Sequence, residues 1–160
     1  MNNSMLRVLF LCTGNSCRSI MAEAILNHLG KGRIKGSSAG SRPAGFVHPQ
    51  ALACLERNGV PVSRPCSKSW VELADTAPDL VVTVCDRAAG ESCPLFPGNP
   101  PKVHWGLPDP ALATGSDAEV AEAFQSVFDA LHAHLQAFVE TSGDDFEVGF
   151  ADAAERVGAP

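Results

Sequence analysis

Cys12 and Arg18 bracket the five residues Thr13, Gly14, Asn15, Ser16 and Cys17, and Ser19 follows directly. A thiol and a guanidinium at that separation can close a loop round a tetrahedral oxyanion. The sulfur supplies a nucleophile, and the planar fork binds two oxygens while keeping its charge. Gly14 lets the backbone turn tightly and Asn15 tolerates a left-handed conformation, so the loop can aim its amides inward. Ser16 and Ser19 add hydroxyls able to donate to sulfur or to oxyanion oxygens. Cys17 lies inside the loop, where simple packing is the plainer expectation for the thiol itself. The expected oxyanion-binding set is Thr13, Gly14, Asn15, Ser16, Cys17, Arg18 and Ser19.

The neighbouring segments place this loop. Leu6 to Leu11 is an apolar stretch, interrupted by Arg7, that predicts a buried strand, and Ile20, Met21, Ala24, Ile25, His28 and Leu29 repeat with helical spacing. Cys12 therefore falls on a strand-to-helix turn, where backbone N–H groups and the positive end of a helix favour an anion, be it an oxyanion or a thiolate.

A second apolar run, Leu80 to Val84, follows Pro78-Asp79 and predicts a strand that delivers Cys85 at its end. The segment Asp86 to Ser92 is small, polar and interrupted by Gly90, which predicts a mobile link to Cys93-Pro94. Lys102 to Trp105 reads as another short strand, and Gly106 to Ala111 as a rigid turn after it. Pro108 and Pro110 restrict the backbone on both sides of Asp109. A carboxyl held there can protonate a leaving oxygen; the alternative is a turn aspartate without chemistry.

Arg33 to Ser38 predicts a further strand. His48-Pro49 opens a helix closed by Gly59, and Ser67 to Ala77 predicts a short helix stopped by Pro78. Ser116 and Glu119 form a capping box, after which Val120, Phe124, Val127, Phe128, Leu131, Leu135 and Phe138 give a long apolar stripe. Strands alternating with helices predict an α/β fold in three layers, a four-stranded parallel sheet of order 2-1-3-4 flanked by helices. That order sets the first and third strands side by side, with Cys12 and Cys85 at the same edge, where open sheets gather reactive groups.

The segment Val8 to Ala24, VLFLCTGNSCRSIMAEA, resembles the signature loop of the low-molecular-weight protein tyrosine phosphatases and of the arsenate reductases that share their fold. Phosphate and arsenate have the same charge and shape, so the loop alone does not separate the branches. Arsenic, unlike phosphorus, accepts two electrons from thiols and leaves as arsenite. Two further thiols downstream therefore favour reduction by outward thiol–disulfide exchange. The resemblance to the thioredoxin-coupled reductases assigns Cys12 as nucleophile, Cys85 as relay and Cys93 as exposed thiol. It also implies Asp109, in an Asp-Pro pair, as the acid. It implies arsenate as substrate, phosphate or sulfate as competing oxyanions, no bound cofactor, and an external reductant, thioredoxin first and glutaredoxin second.

Departures from the family pattern sharpen this. The phosphatases typically carry an aromatic residue after Asp-Pro, whereas this chain has Ala111 and contains no tyrosine; Phe46 could partly replace such a wall. Some reductases hold potassium through residues matching Asn15, Glu23, Ser38 and Lys68 here. The lysine stands where they have aspartate, so its ammonium is expected to reach toward Glu23 in place of the ion; the alternative is a solvated surface lysine. The alternatives to a reductase are a phosphatase acting through a phosphocysteine and a non-catalytic oxyanion- or partner-binding module.

The bulk properties agree with one catalytic domain over residues 1–140. The chain has 160 residues, six cysteines and a net charge of −6, enough length for one core without staples. Only Cys12 and Cys17 have a spacing seen in structural zinc sites, and no second pair completes one; Cys54 and Cys66 read as packing residues. The opening MNNSMLRVLFLC runs straight into the first strand, which argues against a signal peptide and for a cytoplasmic home with reduced thiols. Residues 141–160 contribute four of the six net negative charges and predict a disordered acidic extension. Neither nucleic acid nor membrane binding is expected of such a balance.

Overall fold

The computed structural model describes residues 5–73, 75–84 and 96–142. Its frame is a four-stranded sheet of β1 (Leu6–Cys12), β2 (Ile34–Gly40), β3 (Leu80–Thr83) and β4 (Lys102–His104), in the order β2-β1-β3-β4. All three pairings are parallel, with Leu11 opposite Thr83 and Cys12 opposite Gly40. The predicted strand order is the one found.

Alternation along β1 divides the core. Leu6, Val8, Phe10 and Cys12 join Met21, Ile25, Leu55, Phe124, Leu131 and Phe138 in one apolar cluster. That cluster lies beneath α1 (Arg18–Gly30), α2 (Pro49–Arg57) and α3 (Asp117–Ser142). Leu9 and Leu11 point the other way, into a smaller cluster with Ala39, Trp70, Val81 and Phe96. From Val8 to Cys12 both faces of the strand are thus buried, while Arg7 near its start is exposed.

The helices follow their sequence signals with informative exceptions. His48 caps α2, its Nδ1 accepting from Gln50 N at 3.1 Å, with Pro49 in the first turn. The capping box forms, with Glu119 N donating to Ser116 Oγ at 3.2 Å and Ser116 N to Glu119 Oε1 at 3.3 Å. In α1 Ala22 and Leu26 are buried as well as the predicted stripe, while His28 is exposed. The helix packs between the sheet and α3, so a single stripe understates what it must cover.

The helix predicted over 67–77 is replaced by a single 3-10 turn, Trp70–Leu73. Gly40 N donates to Lys68 O at 2.9 Å and Gly40 bridges Ser69, so the segment starts as an extension beside β2. Ser69 Oγ then takes Val71 N at 3.2 Å and Thr76 Oγ1 donates to Leu73 O at 2.6 Å. Side chains that satisfy the backbone locally compete with a continuing helix. At the far end α3 runs to Ser142, past the boundary expected at 140. Residues 143–160, the remainder of the acidic extension, lie outside the described residues, as do Cys85 and Cys93.

Candidate functional site

Cys12 ends β1 and is 3% exposed. The loop after it is braced from outside through its carbonyls. Arg42 N donates to Thr13 O at 2.9 Å, Ala44 N to Gly14 O at 2.9 Å and His48 N to Ser16 O at 2.8 Å. Ser67 Oγ adds a second bond to Gly14 O at 3.2 Å. A planar trans peptide sets its N–H opposite its C=O, so outward carbonyls turn the N–H groups of Gly14, Asn15 and Cys17 inward. Asn15 N accordingly donates to Cys12 Sγ at 3.2 Å.

Asn15 takes the left-handed turn, at φ +46°, while Gly14 does not. Its side chain is buried and fully used: Oδ1 accepts from Lys68 N at 2.8 Å and Nδ2 donates to Ser19 Oγ at 2.8 Å. Ser19 Oγ lies 2.9 Å from Cys12 Sγ. The sulfur thus takes the Asn15 N–H and stands in hydrogen-bond contact with the Ser19 hydroxyl.

Arg18 opens α1 and crosses to the turn after β4. Its NH1 donates to Leu107 O at 3.0 Å, and NH2 stands 3.6 Å from Asp109 Oδ2. Its Nε is buried and has no hydrogen-bond partner. Asp109 is half-buried, and its Oδ1 accepts from Ala111 N at 3.0 Å, capping the short turn Pro110–Leu112. Cys17 Sγ lies 3.8 Å from the same Oδ1. Burial, and then the charges of Asp109 and Cys12, push the Cys17 thiol up to about 11, so it stays protonated near neutral pH.

Cys12, Thr13, Gly14, Ser16, Cys17, Arg18 and Asp109 line one cleft of about 490 Å³, closed on the far side by Leu107, Pro108 and Leu112. Ser19 stands behind the wall, against the sulfur. Cys85 and Cys93 lie outside the described residues.

Several site contacts carry no signal in the sequence. Leu107 contributes only its carbonyl, and Ser67 reaches the loop from more than fifty residues away. A Cβ on Gly40 would fall 2.5 Å from Thr13 O and 2.7 Å from Cys12 O, so only glycine lets β2 pass this close beneath the loop. Leu112, 77% exposed, forms an apolar lip of the cleft.

Two expectations are corrected. Lys68 does not reach toward Glu23: its Nζ donates to Cys66 O at 3.2 Å, while Glu23 Oε1 accepts from Ser38 Oγ at 2.6 Å. What Lys68 gives the loop is its backbone N–H, which any residue but proline supplies. Phe46 is 56% exposed and is not among the cleft-lining residues. Of the two cysteines read as packing residues, Cys54 is buried, whereas Cys66 is exposed. Among the described residues no group of three His, Cys, Asp or Glu side chains is placed to hold a metal ion. No described helix is long and apolar enough to cross a membrane.

The sequence profile described as low molecular weight phosphotyrosine protein phosphatase matches residues 7–147. A protein of Halalkalibacterium halodurans named arsenate reductase is 39% identical over 134 residues, covering 84% of this chain and 95% of that protein. A solved arsenate reductase in the phosphate binding state superposes with a TM-score of 0.68 at 28% identity, covering 86% of this chain and 98% of the other. A thioredoxin-dependent arsenate reductase of Corynebacterium glutamicum superposes with a TM-score of 0.59 at 30% identity. It covers 85% of this chain and 64% of that one.

Proposed function

We propose that this chain, which belongs to the low molecular weight phosphotyrosine protein phosphatase family, is an arsenate reductase that spends thiols to convert arsenate to arsenite. The observation that carries the oxyanion site is Arg18, which lines the same cleft as Cys12 and whose Nε is a buried N–H without a hydrogen-bond partner. A buried donor of this kind costs roughly 1–3 kcal/mol unless something accepts from it, and a tetrahedral oxyanion above the loop would.

The chemistry then proceeds by named groups. Cys12 Sγ attacks arsenic, an S–As bond forms, and one oxygen departs as water with a proton passed from Asp109. The inward N–H groups and Arg18 hold the remaining oxygens. Cys85 attacks Cys12 Sγ; the S–S bond forms, the S–As bond breaks, and its electron pair stays on arsenic, which leaves as arsenite. Cys93 next attacks Cys85, freeing Cys12, and an external dithiol of the thioredoxin type reduces the Cys85–Cys93 disulfide. Phosphate and sulfate compete for the loop, and the reducing chemistry fits a cytoplasmic setting.

Hydrolysis of phosphate esters is the second reading, favoured by the shared loop. Ala111 in place of an aromatic wall, together with two downstream thiols that hydrolysis does not use, weighs against it. Thioredoxin-coupled NADPH oxidation measured with arsenate, beside cleavage of an aryl phosphate, separates the two. Arsenate-dependent oxidation is expected to dominate; efficient ester cleavage with no arsenate-dependent oxidation would replace the reductase by a phosphatase.

A further inference from the structure

We propose that Cys17 is a positioning residue for Asp109: its thiol holds carboxylate Oδ1 while the adjacent Arg18 holds Oδ2, so two neighbouring loop residues dock the acid over the oxyanion cleft. The proposal rests on the reading of Asp109 as proton donor given above.

Three observations carry it. Cys17 occupies the N-cap position of α1, where a polar side chain ordinarily bonds back to the helix, yet it makes no such bond. Its sulfur instead lies 3.8 Å from Asp109 Oδ1, and Arg18 NH2 lies 3.6 Å from Oδ2. The thiol is 4% exposed and, pushed up to about 11, keeps the proton it donates. The turn carrying Asp109 has its own tie through Ala111 N at 3.0 Å, but that bond is internal to the turn and does not fix it to the loop. Cys17 and Arg18 make contacts that cross between the two, and Arg18 must also serve the oxyanion. Cys17 is thus the anchor that oxyanion binding leaves in place.

Two arms test this in the full-length chain. In a Cys12→Ser background, the pH dependence of Cys17 alkylation is followed by peptide-resolved mass spectrometry with and without Asp109→Asn. With the carboxylate held against the thiol, its removal is expected to move the alkylation midpoint down from that of the Cys12→Ser chain with Asp109 intact, since Asp109 raises the thiol; an unchanged midpoint overturns the contact. In the Cys12 chain, single-turnover arsenite formation is compared for Cys17→Ala, Cys17→Ser, Asp109→Ala and the Cys17→Ala/Asp109→Ala pair.

Loss of the anchor is expected to slow the saturated rate about tenfold with half-saturation unchanged, and serine, which still donates, should recover most of it. The double variant should match Asp109→Ala alone. Additive losses, a changed half-saturation, or equal losses for alanine and serine would make Cys17 a packing residue. A chain that converts no arsenate overturns the functional reading and the donor role of Asp109 with it, while the alkylation arm still decides whether Cys17 holds the carboxylate.

Discussion

Ser19 Oγ stands 2.9 Å from Cys12 Sγ, placed to donate a hydrogen bond to it. The direction follows from the partners: Lys68 N donates to Asn15 Oδ1, which turns Asn15 Nδ2 toward Ser19 Oγ, and a hydroxyl that accepts there has its own proton free for the sulfur 2.9 Å away. A backbone N–H more than fifty residues along the chain thus orients the nucleophile through two side chains.

Removing the last member of that chain should be felt in reactivity before stability. Ser19→Ala is expected to slow both Cys12 alkylation at neutral pH and arsenate turnover by about tenfold, since a hydrogen bond to a charged group is worth roughly 1.5–3 kcal/mol. Stopped alkylation with peptide-resolved mass spectrometry measures the first, and coupled NADPH oxidation the second.

Lys68 and Asn15 should separate cleanly. The lysine serves the loop by its backbone and its ammonium rests on Cys66 O, so Lys68→Ala should leave phosphate affinity within about twofold. Asn15→Ala removes both side-chain bonds and the residue that tolerates φ +46°, and should weaken phosphate binding about tenfold or more. Isothermal titration with phosphate measures both.

Gly40→Ala forces a methyl against Thr13 O and Cys12 O at 2.5 and 2.7 Å. Backbone oxygens cannot step aside as a flexible side chain can, so loop or strand must shift. A loss of roughly 1–3 kcal/mol is expected in urea unfolding, together with loss of phosphate binding. An alanine variant of parent stability would show that the loop has room to spare.

Alkaline pH should weaken the fold through Cys17. The folded thiol is raised from 9.0 to about 11 by burial first and by Asp109 and Cys12 next. Below about 9 both states hold the proton and the contribution is intact. Between about 9 and 11 the unfolded thiol ionises while the folded one does not, so stability falls as pH rises. A decline on the order of 2 kcal/mol is expected from Cys17 across this window, and Cys17→Ala should remove that part of it. Cys54, also raised by burial, adds in the same direction. Urea unfolding at pH 8 and pH 11 measures the slope.

What the sequence made legible is what neighbours along the chain determine. The run into Cys12, the loop to Arg18 and the helical spacing beyond it are one local strand-turn-helix signal, and Asp109 is pinned by prolines on either side. Contacts contributed by backbone alone left no trace: Leu107 O, Lys68 N and the close pass of Gly40 depend on chain crossings that residue types do not encode. The segment 67–77 has helix-forming spacing, but pairing with β2 at Gly40 and local bonds from Ser69 and Thr76 outweigh it. Lys68 was legible as a substitution and misleading as a side chain, because its main-chain N–H performs the structural task.

The central claim, that Cys12 and Cys85 together supply the two electrons that reduce arsenic, is tested most directly by trapping their product. A Cys93→Ser variant, reduced, freed of reductant and mixed with excess arsenate, should release one equivalent of arsenite and yield a Cys12–Cys85 disulfide by peptide mapping. Arsenite release with Cys85 still a free thiol, or no arsenite from a variant that binds phosphate normally, would contradict it.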